Sequence, residues 1–386
     1  MLNVLYLVPN LADTAVARRI AMLRLGGAEV DVAGFRRAGT DMPDLDVQTY
    51  LELDETYDAR FLQRLVATAR ARSSVQTWAA RMAPPSLIIA RNLEMLSLAV
   101  RLRRFWCNQP PIVYECLDIH RLMLRQDAVG WAMRGAERRW RRQASLLLTS
   151  SPAFCATIST FTAVPRPRSL KTRYFGTAQA RGQNPALVPN PEQGPLRIGW
   201  FGALRCARSL KALGQLSDAM DGGIEVVLRG RPAVTEFDDF HREVDARSYM
   251  RFEGGYRNPD DLVAIYQGVH LVWAIDFFEA GQNSMWLLPN RLYEGCLHGA
   301  IPVALAGTET AAFIERLGIG IVLPDIEPQT LRTVLGDLAQ ERLAKLAGAV
   351  QTLQPSHFAV AADECRTLVE KLAELVVPTH PMTDAA

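Results

Sequence analysis

The apolar residues come in short runs that alternate with helical stretches. Val4 to Val8 is continuously apolar, a polar loop follows, and Thr14 to Leu25 forms a helix that ends at Gly26-Gly27 before the apolar run Val30 to Phe35. Strand, helix, strand is the reading. Continuous apolar strands and glycine-terminated helices are what a parallel sheet covered on both faces requires. The rhythm resumes at Ser86 to Ala90, with the helical Leu93 to Phe105 behind it, then at Pro111 to Tyr114 and Ser145 to Thr149.

Between Ala178 and Pro195 lie several Pro, Gly, Gln and Asn residues around one short apolar unit, Ala186 to Asn190, which reads as a hinge. Leu196 to Gly202 then opens a second series, continued by strands at Glu225 to Leu228, His270 to Ile275, Ile301 to Leu305 and Ile319 to Leu323. The expected architecture is α/β: two Rossmann-like, doubly wound domains facing a cleft, spanning 1-190 and 191-355. The amphipathic stretch His357 to Leu375, within 356-386, is expected to pack back on the N-terminal domain, and Pro378 to Ala386 reads as a loose tail.

Composition narrows the class. The 386 residues exceed what one core supports, and 49% hydrophobic with 22% charged residues fits a folded chain. A net charge of +2 gives no global field for nucleic acid. The six cysteines are scattered, without metal-ligand spacing, as in a reducing cytoplasm. The N-terminal run stops at Pro9 without a basic flank, so it reads as a strand and not a signal peptide, and no stretch is long enough to span a bilayer.

In open parallel sheets, ligands bind beyond the carboxyl ends of the strands. After Leu196 to Gly202 come Arg205 and Arg208 at the mouth of a helix, where Gly202 permits close backbone approach and guanidinium groups favour a diphosphate; two solvated arginines are the alternative. In Gly281 to Ala304, Pro289 suits a helix entry and Gly299 its exit. Arg291 and Glu294, three apart, share a face, so that Glu294 could take both ribose hydroxyls while Arg291 stays near phosphate; an exposed ion pair is the alternative.

The second half, from Leu196 to about Pro324, resembles the nucleotide-sugar half of GT-B glycosyltransferases. Phe252 to Leu262, Ile265-Tyr266 and Val269 to Trp273 match that family's strand, glycine loop and following helix in order. Within it, Asn283-Ser284, Leu288 to Glu294 and Ala306 to Thr310 resemble the ExoL-like transferases of succinoglycan-type exopolysaccharide assembly. The resemblance implies donor contacts from Tyr256, Asn283, Ser284 and Asn290 besides Gly202, Arg205, Arg208, Arg291 and Glu294. It also implies transfer of a hexose, glucose from UDP-glucose, to a lipid-linked oligosaccharide at the cytoplasmic face.

Large retaining families carry two glutamates eight positions apart, whereas Trp286 stands eight before Glu294 and Glu279 is too distant to match. An inverting reaction is therefore expected, with a general base on the acceptor side and no metal ion or other cofactor. Asp13 and Asp118 are the candidate bases, and His120 is a donor-contact alternative; Asp13 equally suits a helix N-cap. Trp131 to Arg142 sets two tryptophans among five arginines, which suits an anionic lipid surface or, alternatively, a solvated helix with its tryptophans inward. A sugar-nucleotide 2-epimerase and a non-catalytic scaffold subunit are the competing functions. A nicotinamide dehydrogenase fits poorly, because neither half opens with G-x-G-x-x-G.

Overall fold

The structure, a computed structural model, describes residues 1–37, 45–56, 73–162, 169–171 and 194–376, with backbone alone at 37, 55–56, 161–162 and 169–171. Nearly all of the expected hinge and the tail from Pro378 lie outside the described residues. The chain divides into two compact units, Met1–Phe175 with Ala361–Ala386, and Gly176–Val360.

In the first unit, strands β1 (Asn3–Val8), β2 (Glu29–Arg37), β3 (Thr49–Thr56), β4 (Leu87–Arg91), β5 (Ile112–Cys116), β6 (Leu146–Thr149) and β7 (Ser169–Lys171) build one sheet. Its order is β3-β2-β1-β4-β5-β6-β7, and every neighbouring pair is parallel. Helix Thr14–Leu25 starts on an Asp13 cap and stops at Gly26. A Cβ on Gly26 would lie 2.3 Å from the Cys365 carbonyl oxygen, so glycine there lets helix Ala362–Ala373 pack closely on Thr14–Leu25.

In the second unit, β8 (Leu196–Leu204), β9 (Ile224–Pro232), β10 (Met250–Phe252), β11 (Leu271–Trp273), β12 (Ile301–Leu305) and β13 (Ile321–Leu323) are ordered β10-β9-β8-β11-β12-β13, again all parallel. Successive residues feed opposite faces. Ile198, Trp200 and Leu204 of β8 join Trp273 and Val303 in one apolar cluster, while Phe201 joins Val272 and Tyr266 in the other. Each sheet reverses its direction of growth beside its first strand, between β1 and β4 and between β8 and β11, and such switch points are where α/β sheets take ligands.

Two strands add to those read from the sequence, β3 and β7, and β10 ends at Phe252, where the matched strand and glycine loop begin. β8 and β9 also run further than expected, pairing Gly202 with Gly230. Gly202 has φ +102°, a conformation that favours glycine, but the tight approach belongs to Gly230, where a Cβ would sit 1.9 Å from the Gly202 carbonyl oxygen.

Candidate functional site

The loops that leave β8 and β11 meet through one carboxylate. Arg205, just after β8, donates from Nη2 to Asp276 Oδ2 at 3.1 Å. Arg291, in helix Asn290–Leu297, places its Nη2 3.8 Å from the same oxygen. The other oxygen of Asp276 accepts the Phe278 N–H at 2.8 Å, so one side chain fixes its own turn and two guanidinium groups.

Arg291 is only 8% exposed, and burial pulls it below the usual arginine value, with Asp276 opposing and Arg205 reinforcing the shift. It stays charged, because a guanidinium keeps its proton in proteins. Two cations against one anion leave an excess positive charge. Neither Arg205 Nε nor Arg291 Nε has a hydrogen-bond partner among the described residues, although both are buried. Buried donors with net positive charge are suited to an anion such as a diphosphate. The alternative of two solvated arginines fits Arg208 alone, which is exposed and stacks 4.3 Å from the Phe277 ring centre, while Arg205 lies 4.5 Å over Phe278.

One helical turn beyond Arg291, Glu294 is 3% exposed. Its Oε1 accepts from Asn258 Nδ2 at 3.0 Å and its Oε2 from the Tyr266 hydroxyl at 3.1 Å. Neither Arg291 nor Glu294 is solvent-exposed, so a surface ion pair does not describe them. Tyr266 meets Phe201 edge-on and stacks on His298, a buried ring without a hydrogen-bond partner at either nitrogen among the described residues. Burial lowers the His298 pKa, with Glu294 opposing, which keeps the ring neutral at physiological pH.

The remaining expected donor residues are placed as follows. Glu279 Oε2 accepts from Asn283 Nδ2 at 2.7 Å, and the Glu279 N–H donates to Ser284 Oγ at 3.0 Å. Asn283 and Ser284 are thereby buried within the loop. The Tyr256 hydroxyl lies 3.7 Å from where a Cβ on Gly202 would be, so those two sit side by side. Asn290 is the exposed first residue of its helix, after Pro289 as N-cap. Trp286 closes the short helix Asn283–Trp286.

In the first unit Asp13 is the helix N-cap, its Oδ1 accepting the Ala15 N–H at 2.9 Å. It is also more than a cap. Its Oδ2 lies 3.3 Å from Arg91 Nη2, and Arg91 continues inward to the Tyr6 hydroxyl at 3.5 Å. Tyr6 donates to Glu115 Oε2, and Arg19 Nε donates to Glu115 Oε1 at 2.7 Å. Burial alone would raise the Glu115 carboxyl, but Arg19 and Arg91 together hold it below the usual value. Burial, helped by Glu115, pushes the Tyr6 phenol well up. A carboxylate offers about four acceptor positions, so Asp13, with 37% of its side chain exposed, could still take a substrate hydroxyl.

Asp118 is exposed in the loop after β5, where its carbonyl accepts from Cys116 Sγ at 3.1 Å. His120 Nδ1 accepts the Leu122 N–H at 3.2 Å and caps helix Arg121–Leu124. In helix Ala128–Arg141, Trp131 is 75% exposed, so it does not pack inward, while Trp140 is half-buried. Two of the five arginines serve the fold: Arg134 donates to the carbonyls of Met123 and Arg125, and buried Arg141 to Ile158 O and Ser159 Oγ. Arg138, Arg139 and Arg142 are exposed. Among the described residues no three His, Cys, Asp or Glu side chains are arranged to hold a metal ion, and no helix is long and apolar enough to cross a membrane.

No model of a protein family matches the chain. The succinoglycan biosynthesis protein ExoL of Rhizobium meliloti (strain 1021) is 50% identical over 382 residues, covering 98% of this chain and 94% of that protein. The chain belongs to the ExoL family of succinoglycan biosynthesis proteins. Its fold is GT-B. HepE of Anabaena, solved with UDP and glucose, superposes with a TM-score of 0.66 at 15% identity, covering 97% of this chain and all of the other. Sucrose-phosphate synthase of Thermosynechococcus elongatus gives 0.65 at 14% identity, covering 97% and 98%.

Four residues around the candidate sites had no place in the sequence reading: Asp276, Phe277 and Phe278, which join Arg205, Arg208 and Arg291, and Arg91, which holds Asp13. Their only signal was position, close behind the expected strands, where ligand loops sit. Asn258 and Tyr266, which hold Glu294, fall within the matched segments Phe252 to Leu262 and Ile265-Tyr266, but without a role there.

Proposed function

We propose that this ExoL-family transferase moves glucose from UDP-glucose to a lipid-linked oligosaccharide, inverting the anomeric centre and needing no metal ion. The observation that carries the reading is the Arg205–Asp276–Arg291 cluster, one helical turn from the buried carboxylate of Glu294, at the switch point between β8 and β11. The arginines take the diphosphate and Glu294 the ribose hydroxyls. The acceptor hydroxyl attacks the anomeric carbon, the bond to the diphosphate oxygen breaks, UDP leaves with the electron pair, and Asp13 takes the hydroxyl proton.

The donor is supported by HepE having been solved with UDP and with UDP-glucose, and the pathway by the name of the 50% identical relative. Inversion is supported by Trp286 standing where retaining relatives have an outer glutamate. Trp131 with Arg138, Arg139 and Arg142 would rest on the anionic inner face of the cytoplasmic membrane, where a lipid-linked acceptor resides. The test is UDP release from UDP-glucose in the presence of chelator, with and without a bacterial lipid extract. Lipid-dependent release with a β-linked glucosyl lipid supports the proposal. An α-linked product removes inversion, loss of activity with chelator removes metal independence, and conversion of the sugar without acceptor turns the reading toward epimerisation.

A further inference from the structure

The four residues Asp276-Phe277-Phe278-Glu279 each engage a residue of the donor site. Asp276 ties Arg205 to Arg291, Phe277 lies under Arg208, Phe278 under Arg205, and Glu279 binds Asn283 and Ser284. Those partners come from the segment after β8 and from both helices before β12. Five of the nine expected donor residues are thus held by one short loop. Asp276 is the centre of it, with a side chain only 4% exposed, one oxygen on the loop's own backbone and the other on the two arginines.

Two like charges at this separation repel, and Arg291 pays for burial besides. A shared carboxylate is what holds them together with their Nε donors unspent. We propose that Asp276 is the positioning residue of the donor site, setting Arg205 and Arg291 as a pair that selects a diphosphate over a monophosphate. This rests on the reading of those two arginines as phosphate contacts. Asp276 does not touch the donor; it acts through the guanidinium groups, each of which takes its own phosphate only when both are held at a fixed spacing.

The proposal has a sign that separates it from simple electrostatics. Removing a negative charge near an anion site should tighten anion binding by Coulomb's law, whereas losing the arginine spacing should loosen it. Asp276→Asn keeps the side-chain size and an oxygen for the Phe278 N–H. Calorimetry with UDP and UMP on the full chain is the experiment, alongside Arg205→Gln and Arg291→Gln. UDP affinity of Asp276→Asn should fall about tenfold while UMP changes little, so the preference for UDP falls by a similar factor. Asp276→Glu, which restores the charge, should recover part of that preference.

Tighter or unchanged UDP binding in a folded Asp276→Asn overturns the inference. So does an equal loss for UDP and UMP, which is what a merely structural residue would give. If Asp276→Asn does not fold, Asp276→Glu and Phe278→Leu carry the comparison: each should reduce the UDP preference over UMP, and retention of the full preference in both overturns the role of the loop. If Arg205→Gln and Arg291→Gln leave UDP affinity intact, the phosphate reading itself fails, independently of Asp276.

Discussion

Glu294→Gln is the substitution that asks most of the donor site. The carboxylate is 3% exposed and accepts from Asn258 at 3.0 Å on one oxygen and from Tyr266 at 3.1 Å on the other, and each carboxylate oxygen has the lone pairs to accept more than one hydrogen bond. Gln retains one acceptor oxygen and turns an NH₂ toward whichever donor is opposite the other. Two losses follow. Hydrogen bonds to a charged group contribute about 1.5–3 kcal/mol, so the dissociation constant for UDP should rise roughly 10- to 150-fold. One buried donor also loses its acceptor, which costs about 1–3 kcal/mol of stability, within the 5–15 kcal/mol of a typical domain, so the variant remains folded. Calorimetry with UDP measures the first and thermal melting the second. Tyr266→Phe is the control, since it removes a protein donor and leaves the charge, and it should lower melting with far less effect on UDP. A folded Glu294→Gln whose UDP affinity stays within about twofold of wild type would refute the assignment of this carboxylate to the ribose.

Asp13→Asn keeps the helix cap but weakens the pair with Arg91, whose side chain is 10% exposed against 37% for Asp13, at a cost of about 1–3 kcal/mol, whereas a positioned base supplies roughly 100- to 10,000-fold in rate. Turnover should therefore collapse in a variant that melts somewhat lower but stays folded, and near-wild-type turnover would move the search to Asp118. Burial pushes the Glu137 carboxyl, with Arg141 and Tyr114 opposing, up to about 7 from an ordinary 4.5. The native state then binds a proton that the unfolded chain does not between those values, so this group destabilises the fold above pH 7 and the penalty fades as pH falls toward 4.5. Glu137→Gln should raise stability by up to about 3 kcal/mol at pH 8 and hardly at all at pH 4.5, and an equal gain at both would rule the shift out. Changing Arg138, Arg139 and Arg142 to Gln and Trp131 to Ala should weaken co-sedimentation with anionic vesicles, since each surface arginine contributes about 1 kcal/mol there; unchanged binding rejects that face.

Elements with strong local signals were legible. Helix Thr14–Leu25 and strand Ile301–Leu305 stand where capping, glycine and apolar continuity put them. The edge strands β3 and β7 were not: β3 reads Thr-Tyr-Leu-Glu-Leu-Asp, with charges on one face, and β7 has only three residues. β5 was cut short at Tyr114 because Glu115 follows it, a charge that is tolerated in a buried strand because Arg19, 96 positions earlier, and Tyr6 bind it. The donor site shows the same limit. Glu294 and Arg291 share a helix and could be read together, but Asp276 gains its meaning from Arg205, 71 residues away, and no local pattern announces such a pair. Asp13 carried two readings on its sequence. The structure keeps its cap and adds Arg91 behind it.

The glycine contact at Gly26 bears on how the chain matures. A ribosome delivers residues in order, and domains generally fold as units once they have emerged. The second unit, Gly176–Val360, is one continuous stretch and has everything it requires when its last residue appears. The first unit is interrupted: its sheet emerges before the second unit, yet the helix that seats against Gly26, Ala362–Ala373, is made only after the whole of it. Until then Thr14–Leu25 stands with one flank bare. The half that is synthesised first is thus completed last, and exposure of that flank to proteases or chaperones should persist through translation of the whole intervening unit.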